Sequence, residues 1–318
     1  MNSERTPLAA IVILNYNCHK ETIECVRSVQ RCRRQDLKLI VIDNQSMDGS
    51  FDVLESALSD DNDVELILAP RNGGFSEGSN IGIIRGLALK ARWIHLLNPD
   101  TEVAPDFYNR LSVIDSDHPG FHAVGGLGLY MSVRDRIWFG GGYFDWLKAR
   151  GECRYQGELL EKRPAESISG PSEFLTCACL LVRREVVQKI GLLDTRYFLG
   201  GEEWDYSRRL NRAGYTLHVD GELKYWHHVS ASLEQKVSLK YIYNGYRTKL
   251  LFMKDQKPLF YYLWLLPYLV YSRVLARRKF KILDQSLAWT DILAAIKLAE
   301  RDDRRYRSIE LVHLTQFT

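Results

Sequence analysis

Three groups of oxygen-bearing side chains stand out in the 318-residue chain. Asp43 and Asn44 close the apolar run "LKLIVIDNQSMDGS", Asn98-Pro99-Asp100 closes "WIHLLNPDTEV", and Glu202, Glu203 and Asp205 crowd into "GGEEWDYSRRL". A glycine-rich stretch, "RNGGFSEGSN", lies between the first two. A carboxylate on a tight turn after a strand is the hard-oxygen ligand that Mg2+ or Mn2+ takes up when it shares one or two protein carboxylates with substrate phosphates. Each group alone has a plain explanation. Asn-Pro-Asp is an ordinary turn, and an acidic first helical turn complements the helix dipole. Their company points to a ligand.

Such groups act together only if the backbone delivers them to one place. The runs "AAIVILNYN", "LKLIVIDNQ", "VELILAP" and "RWIHLLNPD" alternate with segments of helical period, in which Ile23, Val26 and Val29, then Phe51, Leu54 and Leu58, recur. That rhythm predicts a parallel sheet with crossover helices. Ligands of open α/β sheets bind beyond the carboxyl ends of the strands, so Asn15, Asn17, Asp43, Asn44, Asn98 and Asp100 are expected on one rim. Further on, "FHAVGGLGLYMS" reads as a strand with glycine breaks and "FGGGYFDW" as a loop. "SEFLTCACLLVRREVVQKIG" reads as a buried strand entering a short helix. "EEWDYSRRLNRAG" is a helix ended by Gly214, and "TLHVDGELKYWHHVSAS" supplies one or two strands.

With 46% hydrophobic and 26% charged residues, the composition is that of a globular protein, and a net charge of +3 makes no case for nucleic acid as a partner. The six cysteines lack zinc-site spacing and read as reduced thiols of a cytoplasmic protein, and "MNSERTPLAA" has no apolar leader. Residues 1–239 form one domain by this reading, and 240–318 a helical region. There "PLFYYLWLLPYLVYS" carries no charge, and Arg273, Arg277, Arg278, Lys279 and Lys281 follow it. The run falls short of the roughly 20 residues of a membrane span. An interfacial helix at the cytoplasmic face of the membrane is expected, with a buried hairpin or a homodimer contact as the competing reading.

Taken in order, "IVILNYN", "VIDNQSMDGS", "RNGGFSEGSNIGI", "LLNPDTEV" and "FLGGEEWDYSRRL", followed by "YWHHVSAS", resemble the motifs of the inverting family 2 glycosyltransferases of GT-A fold, especially the rhamnosyltransferase-like branch. The resemblance implies an α/β, Rossmann-like nucleotide-diphospho-sugar transferase fold with a mainly parallel central sheet and a C-terminal helical extension. It implies a metal-dependent transfer, with Mg2+ or Mn2+, from a nucleotide-diphosphate sugar to a hydroxyl of a saccharide or lipid-linked saccharide in cell-surface polysaccharide synthesis. The branch points to dTDP-rhamnose as donor.

The same resemblance distributes roles along the chain. Asp43 would accept the N3–H of a pyrimidine base, beside Asn15 and Asn17. Asn72, Gly73 and Gly74 would lie flat near the nucleotide with Asn80 on the helix behind them. Asp100 would hold the metal, with His227 matching the approaching histidine better than His228. Asn98 stands where many relatives carry the first Asp of an Asp-x-Asp motif, so one carboxylate fewer is present. Glu203 matches the catalytic carboxylate, usually an Asp; being one methylene longer, it leaves Glu202 open as the base. Asp205 would face elsewhere, anchoring the helix or contacting acceptor. Trp138, Phe139, Tyr143 and Trp146 would stack on sugar or pack in the core. Two other functions compete. A nucleotidyltransferase making the sugar nucleotide would open on a glycine-rich loop, which "IVILNYNCHK" lacks, and a non-catalytic nucleotide-sugar binding protein could share the fold.

Overall fold

A computed structural model describes residues 6–229, 239–283, 290 and 293–299, without the side chains of 240, 241, 272, 273 and 275–283. The apolar runs form β1 (Ala9–Asn15), β2 (Leu37–Asp43), β3 (Val64–Leu68) and β4 (Trp93–Leu97), joined through α1 (His19–Gln30), α2 (Ser50–Leu58) and α3 (Gly74–Ala88). They pair in parallel in the order β3-β2-β1-β4, and the register sets Asn15 opposite Asp43. All seven residues of β1 are buried. Helices on both faces therefore cover the sheet, as a parallel sheet requires. One apolar layer joins Ile11 and Ile13 to Val26, Val29 and Leu54; the other joins Val12 and Ile42 to Ile83, Val186 and Leu210.

Beyond β4 the sheet becomes mixed. β5 (Thr101–Val103) and α4 (Phe107–Asp117) are followed by β6 (Ala123–Tyr130), β7 (Ile137–Phe139), β8 (Gly142–Asp145), β9 (Arg150–Cys153), α5 (Ala165–Ile168) and β10 (Gly170–Ser172). Then come β11 (Cys179–Arg183), α6 (Arg184–Ile190), α7 (Glu202–Arg212) and β12 (Leu217–His227). The full order is β10-β12-β6-β11-β4-β1-β2-β3, with β11 antiparallel to both neighbours and β12 parallel to β6. "FGGGYFDW", expected as a loop, contains the end of β7 and the whole of β8. The Phe174 ring fills the space where a Gly142 side chain would stand, so glycine lets this strand pack close. The last expected strand is one strand whose register shifts between Asp220 and Lys224.

Composition changes near residue 240, but packing continues. α8 (Leu239–Gln256) lies on α7: Gln256 Nε2 approaches Asp205 Oδ1 at 3.4 Å and Arg212 donates to the Gln256 carbonyl at 3.0 Å. α9 (Pro258–Leu283) buries Tyr261, Trp264 and Tyr268 against Ala149, Leu250 and Met253, and Trp264 Nε1 donates to the Leu147 carbonyl at 2.8 Å. Its other face is apolar and open, with Leu259 91%, Leu263 77% and Leu266 70% exposed. Among the described residues no helix is long and apolar enough to cross a membrane. The side chains of Arg273, Arg277, Arg278, Lys279 and Lys281 lie outside the described residues.

Candidate active site

At the rim of β1 and β2, the register places Asn15 beside Asp43, and Asn15 Nδ2 donates to Asp43 Oδ2 at 2.6 Å. The Ser46 amide donates to Asp43 Oδ1 at 2.9 Å. Both Asp43 oxygens are thus engaged and the residue is fully buried. Each oxygen keeps a second lone pair, and the Asn15 and Ser46 bonds fix the orientation of the carboxylate at the rim. Asn17, with φ at 54°, accepts the Met47 amide at 2.9 Å and ties the two rim turns together. Asn72 accepts the Gly74 amide and the Asn44 side chain, each at 3.1 Å, which shapes the glycine turn into α3. Gly74 has φ of 79°, and a side chain there would collide with the Phe198 carbonyl oxygen. Asn80 differs from its expected role. Its amide donates to the Leu193 carbonyl at 2.9 Å and accepts the Leu193 N–H at 3.0 Å, so it clamps a distant segment.

Antiparallel pairing of β5 with β12 sets Thr101 opposite His227 and brings Asp100 to its side. His227 Nε2 lies 3.0 Å from Asp100 Oδ1, donating in the tautomer that carries its hydrogen there, and among the described residues its buried Nδ1 has no partner. The Trp138 ring meets the imidazole edge-on at 4.4 Å. Among the described residues no three His, Cys, Asp or Glu side chains converge as a complete metal cage. The pair still fits a shared divalent cation. Adjacent ligands of an octahedral ion with bonds of about 2.1 Å stand about 3.0 Å apart, and such an ion takes its remaining ligands from water and substrate phosphates. Asp100 also borders a second cavity of about 360 Å3 with Lys20 and His228, so His228 turns away from His227.

His227 and Asn98 face a cavity of about 410 Å3 together with Glu202 and Glu203. The carboxylates arrive there because α7 starts at Glu202, after Gly200 and Gly201 turn the chain with φ of 83° and 91°. Glu202 is buried with Oε2 unpartnered, whereas Glu203 is half-buried. Burial pushes both above the ordinary glutamate range, and the Glu203 charge pushes Glu202 further. Helix-start N–H groups and a hydrogen bond from Glu202 partly relieve Glu203. Two like charges so close ionise together with difficulty, so the pair as a whole holds a proton above the ordinary glutamate range. Asp205 points away from the cavity and binds Arg209 Nε at 2.8 Å; burial raises it, and Arg209, which also caps the Ile190 and Leu192 carbonyls, opposes that. It anchors the helix.

The cavity also holds residues that the sequence reading passed over. Asn244, Thr248 and Lys249 of α8 form one wall, with Thr176 and Cys177 opposite. The available signal was the i, i+4 spacing of Asn244 and Thr248, two small polar groups on an otherwise apolar helical face. Of the four aromatic residues considered for sugar stacking, Trp138 lines the cavity; Phe139 is buried, Tyr143 is exposed, and Trp146 stacks on Phe252 at 5.6 Å.

The model of the family described as glycosyltransferase-like family 2 matches residues 7–241, about three quarters of the chain. The chain is a family 2 glycosyltransferase. This glycosyltransferase is 27% identical over 231 residues to an N-acetylglucosaminyl-diphospho-decaprenol L-rhamnosyltransferase of Mycobacterium tuberculosis, covering 66% of this chain and 72% of that protein. It is 22% identical to the dTDP-rhamnosyl transferase RfbF of Shigella flexneri, over 68% of this chain and 67% of that protein. Solved GT-A structures superpose on it. GalNAc-T7, crystallised with UDP, GalNAc and Mn2+, gives a TM-score of 0.63 at 18% identity over 95% of this chain, which spans 55% of that longer chain. The mannosyltransferase PcManGT of Pyrobaculum calidifontis, with GDP-Man and Mn2+, gives 0.54 at 13% identity over 98% of this chain and 79% of that one. The glycosyltransferase thus has the GT-A fold, with a mainly parallel mixed sheet and C-terminal helices.

Proposed function

We propose that this glycosyltransferase moves a sugar from a nucleoside-diphosphate donor to an acceptor hydroxyl with inversion at the anomeric carbon, and that Glu203 is the base. The observation that carries the reading is one cavity lined by His227, whose imidazole meets Asp100, and by the desolvated carboxyls of Glu202 and Glu203. Asp100 and His227 would hold Mg2+ or Mn2+, which supplies charge neutralisation for a departing diphosphate. Glu203, ionised while Glu202 holds a proton, accepts the hydrogen of the acceptor hydroxyl. The freed oxygen pair forms the new bond to the anomeric carbon as the bond to the diphosphate oxygen breaks, and the nucleoside diphosphate leaves with that electron pair. A base whose pKa is raised toward working pH matches this task. Asn15, Asn17, Asp43, Asn72, Gly73 and Gly74 shape the nucleotide rim, and Asn98 faces the sugar.

The rhamnosyltransferases among the relatives support dTDP-rhamnose as donor and a lipid-linked saccharide as acceptor. The open apolar face of α9 supports peripheral residence at the cytoplasmic face of a membrane, where such an acceptor is met. The test is incubation with dTDP-rhamnose and Mn2+, against UDP-sugars, with release of nucleoside diphosphate as the readout. The anomeric configuration of the transferred sugar is then read by NMR. Metal-dependent release and an inverted product are expected; a retained anomeric configuration would remove Glu203 as a simple base.

A further inference from the structure

We infer that Thr248, on a helix that composition assigns to a separate C-terminal region, is a positioning residue for the Glu202–Glu203 turn. The inference rests on the reading of Glu203 as the base. Within the turn the Gly201 carbonyl accepts the Trp204 and Asp205 amides at 3.1 and 3.0 Å, which ties Gly201 to the helix but leaves the Gly200 carbonyl to an outside partner. Gly200 and Gly201 both lie in the left-handed region, where glycine moves freely, and α7 begins with no side-chain cap. The restraint comes from outside. Thr248, buried at 6% exposure, donates its hydroxyl to the Gly200 carbonyl at 2.9 Å, and its methyl group occupies the space where a Gly201 side chain would be. One residue earlier, Arg247 donates to the Arg196 carbonyl.

The other side of the same segment is held by α3. Asn80 binds both backbone groups of Leu193, and the Phe75 amide donates to the Phe198 carbonyl at 2.7 Å. Leu193 to Gly201 is thereby a strap fixed between the helix that follows the glycine loop and the C-terminal helix. The Thr248 bond is the last tie before the carboxylates. Loss of it leaves the glycine pair free to swing, and a displacement of about 1 Å can cost about 10²-fold in rate.

Thr248→Val keeps the shape and removes the hydroxyl; Thr248→Ser keeps the hydroxyl. In the full chain without ligand, amide hydrogen exchange at Gly200–Glu203 is expected to quicken in the valine variant and to stay at the wild-type rate in the serine variant. With dTDP-rhamnose and Mn2+, the valine variant should lose about 10- to 100-fold in kcat with donor KM within about twofold, and serine should retain activity. Unchanged exchange in Thr248→Val, serine as impaired as valine, or a rise in KM at constant kcat would overturn the inference. Thr248→Ala gives the same loss of hydroxyl with less bulk should valine hinder folding. A wild-type chain that releases no nucleoside diphosphate from any sugar nucleotide would sink the proposed function, and the exchange measurement would still decide whether Thr248 holds the turn.

Discussion

Glu203→Gln preserves the volume and hydrogen-bonding shape of the side chain but cannot take a proton. The structure separates its consequences from those of Glu202→Gln. Among the described residues neither the Asp43 rim nor the Asp100–His227 pair hydrogen-bonds to Glu203, so donor affinity should hold. Loss of a general base costs about 10² to 10⁴ in rate, or roughly 3–5 kcal/mol at 1.36 kcal/mol per factor of ten, and it should fall on kcat. Glu202 is different. In the proposed mechanism it holds the proton of the pair, and a glutamine amide still donates toward Glu203, so Glu202→Gln should keep kcat within about tenfold, well short of a base's loss. Glu202 eases Glu203 ionisation by donating a hydrogen bond, and glutamine keeps that donor, so the acidic limb of the pH–rate profile should stay close to its wild-type position. Stability does depend on pH. A carboxyl whose folded pKa is raised binds more protons folded than unfolded, so its stabilising contribution is present below about pH 4.3 and is lost as pH rises through the folded value. Glu202→Gln removes that loss and should raise the melting temperature at neutral pH. The assay is a pH series of donor release for the wild type and both variants. A dead Glu202→Gln beside an active Glu203→Gln would move the base by one residue, and normal turnover in both would leave the acidic turn as a mere helix start.

Asp100→Ala should abolish the Mn2+-dependent part of thermal stabilisation by dTDP or UDP, about 2.7 kcal/mol at a hundredfold excess over Kd; stabilisation equal to wild type would remove Asp100 from the metal site. Gly74→Ala should cost about 2–5 kcal/mol in chemical denaturation, from about 1–2 for a left-handed backbone and about 1–3 for the collision with the Phe198 carbonyl. A loss under about 0.5 kcal/mol would show that the joint between glycine loop and strap is loose. Leu263→Glu with Leu266→Glu, both on the open face of α9, should leave stability nearly unchanged and abolish co-sedimentation with phosphatidylglycerol vesicles. Wild-type protein that stays in the supernatant would assign that face to a protein contact instead.

The parallel half of the sheet is legible in the sequence because strands buried on both faces must be apolar throughout, which makes β1, β2 and β4 continuous runs ended by Asn or Asp. The chemistry at Asp100 is less so. Residue types nominate Asp100 and His227, but their meeting depends on β5 pairing backwards with β12 across 127 positions of chain, a register that no local pattern encodes. Asn80 shows the converse. An Asn behind a glycine loop suggests a ligand, yet its partner is the backbone of Leu193, 113 residues away, and backbone groups leave no trace in residue type. Thr248 was hidden for a similar reason, since one small hydroxyl on a helix of mixed polarity looks incidental until the carbonyl it meets is known.

The acid-lined cavity draws its walls from segments scattered between Phe75 and Lys249. During synthesis a nascent chain therefore completes the sheet, and the rim that shapes the glycine loop, well before it can enclose the carboxylates. Until α8 has left the ribosome, the strap lacks its last tie and the cavity lacks one of its walls. The enclosed cavity would then form only once α8 is in place. A chain ending short of residue 244 would hold the sheet and the rim but lack one wall of the cavity.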